Sequence, residues 1–350
     1  MTNIIYSWQN EVWRRLISTK ATLPGALLIQ GRGGIGKFHF ARTLAQALLC
    51  ESPLNSGEPC EHCGACNWFK IDGHPDFRLL EPEAQNSAAD STDEMAEQEP
   101  IKKATDKKAS QFITIAQIRE LADFVNLTTH RNGLRIILVH PAEAMNVHAA
   151  NALLKTLEEP PPGTLFILVS HQPQRLLPTV RSRCQKIDAP LPGRVEALQW
   201  LREQKVAEAD ACLAQSGCAP LTAMRLSEED HQLKRGQILE QLGAPNQFDP
   251  LTLAEQGDKM ELAWILNWMQ QWVYDLASIG MAEQARYQPE LSAEMIRLAK
   301  TVNLIELFRF QQELLAAQRA LHHPLNNRLV LEQLFFSYGQ LVNRQDAAYV

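Results

Sequence analysis

Gly31-Arg32-Gly33-Gly34-Ile35-Gly36-Lys37-Phe38 has the spacing of a phosphate-binding loop, with Phe38 at the position where a Ser or Thr hydroxyl would hold Mg²⁺. An apolar run, Ala26-Leu27-Leu28-Ile29, leads into it, and Phe40, Leu44, Ala47 and Leu48 follow at helical spacing. That is the strand, loop and helix context the motif needs. Glycines at 31, 33, 34 and 36 would let backbone N–H groups and a helix N-terminus face phosphate oxygens, with Lys37 reaching the outer phosphates. The candidate nucleotide-binding residues are therefore Gly31, Gly33, Gly34, Gly36 and Lys37. Phe38 separates ancestry from turnover: the loop alone does not imply that this chain binds or hydrolyses ATP.

The alternation continues downstream. Thr114 and Gln117 resemble a capping box before a helix with Ile118, Leu121, Ala122 and Val125 on one face. An apolar strand, Arg135 to Val139, comes next, then a helix through Ala149, Leu153, Leu154 and Leu157 that Pro160-Pro161-Pro162 terminates, then a third strand, Thr164 to Ser170. Strands alternating with helices predict an α/β fold with a mainly parallel sheet covered on both faces and ligands at the C-terminal strand ends. After Pro190-Leu191-Pro192-Gly193 the pattern is helical throughout. The expected domains are residues 1–190 with the phosphate loop, a small helical lid over 191–238 and an all-α domain over 239–350. The stretch from about 82 to 110, without aromatics and rich in Ala, Ser, Glu and Lys, reads as a flexible surface insertion. Trp264, Trp268 and Trp272 recur every four residues, which predicts a helix core or subunit interface rather than a base-stacking platform, and Leu304, Leu307 and Phe308 show the same helical spacing further on.

With 350 residues, 45% of them apolar, the chain can bury more than one core, and its net charge of −6 argues against self-sufficient binding to a nucleic-acid backbone. Met1 to Gln9 lacks a charged-then-apolar leader, and the most apolar long stretch, Leu262 to Ala277, is broken by Asn267, Gln270, Gln271 and Asp275. A cytoplasmic protein with no membrane partner is expected.

Seven cysteines in such a chain suggest metal ligands and free thiols rather than disulfides. Cys60-x2-Cys63-x2-Cys66 lies on a tight turn with Gly64, and Cys50 at the end of the phosphate-loop helix supplies a fourth thiolate. Four thiolates close a tetrahedral Zn²⁺ site and leave no position for substrate, so the site would be structural. An iron–sulfur cluster uses the same donors, and His62 or His74 could replace Cys50. Cys184, Cys212 and Cys218 read as packing residues.

Ala149-Ala150-Asn151-Ala152-Leu153-Leu154-Lys155-Thr156-Leu157-Glu158-Glu159-Pro160-Pro161, followed about twenty residues later by Ser182-Arg183-Cys184, resembles the signature of bacterial clamp-loader AAA+ subunits of DNA polymerase III. The cysteine module after the phosphate-loop helix belongs to the same group. The resemblance implies an AAA+ domain, a helical lid and a C-terminal collar domain, assembled in a ring with motor subunits (gamma/tau) and a delta subunit that loads a sliding clamp onto primed DNA. Motor subunits carry Asp-Glu after the second apolar strand, to position Mg²⁺ and activate water; here those positions read His140-Pro141. A lid arginine of the motors corresponds to Pro220, and Ser170-His171 stands at their polar sensor. The resemblance therefore implies a non-hydrolysing subunit. It also implies that Arg183 acts as an arginine finger in trans on a neighbour's ATP, with Arg181 as the rival candidate, on the same side if the backbone there is extended. Two other classes share the loop: an active motor whose Mg²⁺ is held only by nucleotide and water, and a small-molecule kinase with a zinc-stabilised lid.

Overall fold

The structure, a computed structural model, describes residues 5–83, 110–126, 133–282, 284–321 and 326–343. The expected insertion of residues 82–110 lies outside them except at its ends. The chain divides into two compact units, Met1–Pro192 and Gly193–Val350.

In the first unit, β1 (Ala26–Gln30), β2 (Phe77–Leu80), β3 (Arg135–Val139), β4 (Thr164–Ser170) and β5 (Gln185–Asp188) form a parallel sheet in the order β2-β3-β4-β1-β5. β4 lies between β3 and β1, pairing Phe166 with both Ala26 and Ile137, and every one of its residues is buried. Because side chains alternate across a strand, the sheet buries two sets. Leu28, Ile137, Val139, Phe166 and Leu168 pack with Ile118, Leu121, Ala149, Leu153 and Leu157. Leu27, Ile29, Ile136, Leu138, Ile167 and Val169 pack with Trp13, Phe40, Ala41 and Leu44 on the other face. Helices cover both faces, as the alternation predicts.

Local signals set the ends of these helices. The capping box exists: Thr114 N–H donates to Gln117 Oε1 at 2.8 Å, and Gln117 N–H to Thr114 Oγ1 at 3.5 Å. Asn146 caps the helix Val147–Glu158 by accepting from Ala149 N–H at 2.8 Å. Two strands went unread in the sequence. β2 and β5 are four residues long, and β5 (Gln-Lys-Ile-Asp) buries only Ile187, so at the sheet edge neither carries an apolar run.

The second unit is helical. Ala197, Leu201, Cys212, Leu213 and Ala223 make one apolar cluster, and a larger one is built around the helix Leu262–Ala282. The helix Glu229–Gly243 runs unbroken through the expected lid boundary at 238. The tryptophan stripe is core: Trp268 and Trp272 are fully buried, and Trp272 Nε1–H donates to Tyr338 Oη at 2.8 Å, whose hydroxyl donates to Leu242 O at 2.7 Å. Trp264 is half-buried against the same cluster. The later stretch at helical spacing is covered only in part. Phe308 is 49% exposed, and the buried face of the helix Leu304–Ala320 is carried by Leu307, Phe310 and Leu314, at i, i+3 and i+7. No helix among the described residues is long and apolar enough to cross a membrane.

Candidate functional site

The phosphate loop leaves β1 at Gly31 and enters the helix Lys37–Leu49 through Gly36, which has φ +87°. A Cβ there would lie 2.2 Å from the Tyr6 ring, so position 36 needs glycine for both conformation and space. Lys37 is 2% exposed, and its Nζ donates to the loop's own Arg32 carbonyl at 2.5 Å. Residues far from the motif hold the loop as well: Trp8 Nε1–H and Gln9 Nε2–H both donate to Ile35 O, at 3.0 and 2.9 Å. Tyr6 stacks on Trp8 with ring centroids 4.8 Å apart, and its hydroxyl bonds His39 Nδ1 at 2.9 Å. Reading the sequence missed this clamp, because nothing in its short segment indicates which loop it meets.

Burial pushes the Lys37 ammonium down to about 8, against an opposing pull from Glu143. Between that value and the ordinary lysine range the unfolded chain binds a proton that the folded one does not, so the unit gains stability as pH rises through this window. Lys37→Met should remove that rise, measured as the difference between variant and parent in chemical denaturation from pH 7 to 10.5.

Beside the phosphate loop, side chains from three strand ends meet. Glu81, His140 and His171 sit immediately after β2, β3 and β4, at the C-terminal edge of the sheet. Glu81 Oε1 is 2.9 Å from His140 Nδ1, and His140 Nε2 is 3.3 Å from His171 Nε2. This fits a His140 with its proton on Nδ1, donated to the carboxylate, and Nε2 accepting from His171. The Phe38 ring lies over the His140 ring, centroids 4.4 Å apart. The nearest following carboxylate, Glu143, is also engaged, its Oε1 accepting from the His171 and Gln172 N–H groups at 2.9 and 3.1 Å. A carboxylate, two imidazoles and a phenyl ring thus meet where the resemblance to motor subunits leads one to expect a hydroxyl and a carboxylate. Mg²⁺ prefers oxygen, and this set offers it poor anchorage. Pro220, in the place of a lid arginine, is buried in the first turn of the helix Pro220–Leu226.

Arg183 follows the short helix Pro178–Arg181. Its Nη1–H donates to Thr179 O at 2.8 Å and its Nη2–H to Glu158 Oε1 on the helix Val147–Glu158, while the side chain stays 31% exposed. Arg181 points elsewhere, Nη1–H donating to Pro173 O at 3.3 Å. The backbone there is a helical turn rather than extended, so the condition under which Arg181 and Arg183 would share a side is not met. Neither partner of Arg183 belongs to the phosphate loop.

The four cysteines converge. The Sγ atoms of Cys50, Cys60, Cys63 and Cys66 lie within 4.8 Å of one another, with contacts of 3.5 Å for Cys50–Cys60, 3.9 Å for Cys50–Cys63, 3.7 Å for Cys50–Cys66 and 4.0 Å for Cys60–Cys66. Sulfurs bound at ~2.3 Å around a tetrahedral ion are about 3.8 Å apart, so the donor set fits one metal ion. Backbone N–H groups of Cys60, Cys63 and Cys66 point at the sulfurs of Cys50, Cys60 and Cys63, at 3.3, 3.4 and 3.4 Å, the arrangement that favours thiolates. His74 is not in the group; its Nδ1 accepts from Asp76 N–H at 3.1 Å. Cys184 and Cys212 are buried and Cys218 half-buried, and none of them belongs to the group.

A parallel sheet with β4 between β3 and β1, a phosphate loop after β1 and an arginine-bearing turn before β5 defines an AAA+ module of the clamp-loader class. The family described as DNA polymerase III, delta subunit matches residues 8–191, and the one described as its C-terminal part matches residues 229–339. The chain is 35% identical to DNA polymerase III subunit delta' of Pseudomonas aeruginosa over 96% of its own length and 98% of the relative's. It is 31% identical to that of Yersinia pestis over 86% of each, and 30% identical to that of Escherichia coli over 68% of this chain and 65% of the relative. Among solved structures, a DNA polymerase III gamma subunit-related protein of Thermotoga maritima is a distant likeness, 19% identical over 96% of this chain and all of that one, with a TM-score of 0.46. The chain belongs to the DNA polymerase III delta' family.

Proposed function

We propose that this chain is a non-hydrolysing clamp-loader subunit that supplies Arg183 in trans to the ATP site of a neighbouring motor subunit. The observation that carries the first half is the cluster at the strand ends, where Phe38 lies on His140 and Glu81 and His171 bond it from either side. Phosphoryl transfer rests on metal anchorage and charge placement, so a site lacking both protein anchors of Mg²⁺ has lost most of its means of catalysis. Lys37 remains but turns to its own loop. The second half is supported by Arg183, exposed on a short turn with donors still free to meet a phosphate.

The partners are then the motor (gamma/tau) and delta subunits, with the sliding clamp and primed DNA reached through the assembled complex. The helical second unit would hold the lid and the collar through which the ring assembles. The four-cysteine group holds Zn²⁺ as a structural ion, since closed thiolate sites of this geometry suit it and keep no open position.

The test is turnover. The purified chain should hydrolyse no ATP, and Phe38→Thr should restore none, because His140-Pro141 still offers neither metal carboxylate nor base. Hydrolysis by the chain alone, abolished by Lys37→Ala, would overturn the reading. Reconstitution with motor and delta subunits should yield clamp loading that omission of this chain abolishes.

A further inference from the structure

We propose that Glu158 is the positioning residue for Arg183, holding the guanidinium at the subunit edge in the orientation from which it meets a neighbour's phosphate. This rests on the reading of Arg183 as a finger in trans.

Glu158 is the last residue of the helix Val147–Glu158, and Pro160-Pro161-Pro162 prevents that helix from continuing. The helix itself is anchored, with Ala149, Leu153 and Leu157 buried against the sheet and Asn146 capping its start. The carboxylate is therefore mounted on a rigid element although it is 48% exposed. Arg183, by contrast, sits just past a four-residue helix, and its side chain has many rotamers to choose from. Two contacts select one: Nη1–H to Thr179 O at 2.8 Å, and Nη2–H to Glu158 Oε1. The Nε–H is turned inward, buried and without a hydrogen-bond partner among the described residues. Only the second hydrogens of Nη1 and Nη2 remain to point outward. Each of these nitrogens keeps one N–H that can donate to a phosphoryl oxygen while the other holds the group in place.

Without Glu158 the one hydrogen bond left to the guanidinium among the described residues is to the carbonyl of Thr179, on the same short turn, and the group is free to swing. A finger that must be ordered anew at each turnover acts in the transition state less often, so the loss falls on kcat rather than on ATP binding.

In the complex reconstituted with motor and delta subunits, Glu158→Ala should lower clamp- and DNA-stimulated kcat by about fivefold with KM for ATP little changed. Glu158→Gln keeps an acceptor at the same reach and should recover most of the rate. In the Arg183→Ala background, Glu158→Ala should have no further effect, since there is nothing left to position. The three results together support the assignment. If Arg183→Ala lowers turnover but Glu158→Ala does not, the positioning role is overturned and the finger stands. If Arg183→Ala changes nothing, both fall. An equal loss from Glu158→Ala with and without Arg183 would make Glu158 part of the fold or the interface instead, and would overturn the proposal. Unchanged gel-filtration and thermal-melting profiles of Glu158→Ala exclude misfolding as the cause.

Discussion

Arg183→Ala is expected to lower the clamp- and DNA-stimulated ATPase of the complex reconstituted with motor and delta subunits by about tenfold or more, with assembly unchanged. An arginine that meets the transferring phosphoryl group neutralises charge developing on its oxygens, and such fingers contribute ~10³ to 10⁵ in rate where they dominate. The steady-state loss is smaller than that range because the motor sites act as a coupled set, in which the step assisted by Arg183 is one of several that limit the rate. Assembly should survive because Arg183 is not core: its side chain is 31% exposed and its partners are one carbonyl and one half-exposed carboxylate. An exposed pair of this kind contributes ~1 kcal/mol or less to stability. Single-turnover measurement on the complex separates the two effects. Unchanged turnover in a complex of normal size would remove the finger assignment.

Cys60→Ser or Cys63→Ser should release the metal ion and destabilise the first unit by roughly 3 kcal/mol or more. The cost reaches beyond the ligands. The metal ion would tie the helix Gly64–Lys70, which carries Cys66 and buries it with Phe69 beside the phosphate-loop helix, to Cys50 and Cys60. Losing the ion removes the cross-link among Cys50, Cys60, Cys63 and Cys66 and leaves sulfurs about 4 Å apart without a common partner. Elemental analysis of the purified chain should find one zinc per molecule, lost in the variants, and thermal unfolding should report the destabilisation. Iron in the purified chain, or no metal at all, would sink the zinc assignment.

Much of the fold was legible because its signals are local. The glycines at 31 to 36, the capping box at Thr114 and the run of prolines at 160 to 162 each act through backbone geometry within a few residues. β1, β3 and β4 showed as apolar runs because both their faces are buried, whereas β2 and β5 stand at the sheet edges and gave no such signal. The tryptophan stripe is core, one of the two places the spacing allowed, while Phe308 at the same helical spacing is exposed, since periodicity identifies a face but cannot say where the covered arc ends.

The residues that change the chemistry were also readable one by one: Phe38, His140 and Pro141 depart from a pattern defined by position in the chain. Three things were decided only by the tertiary structure. His140 is met by Glu81 and His171, which lie 59 and 31 residues away in sequence, because parallel strand ends bring them to one edge. Tyr6, Trp8 and Gln9 clamp a loop some 26 to 30 residues further on. Arg183 meets Glu158 across 25 residues, between a helix end and a turn. Sequence by itself determined the class of the fold and what the phosphate loop lacks, because both depend on residue type at fixed local spacing. What meets His140 at the strand ends, and what holds Arg183, depend on which strand and helix ends become neighbours, and the order of strands in the sheet goes far to decide that.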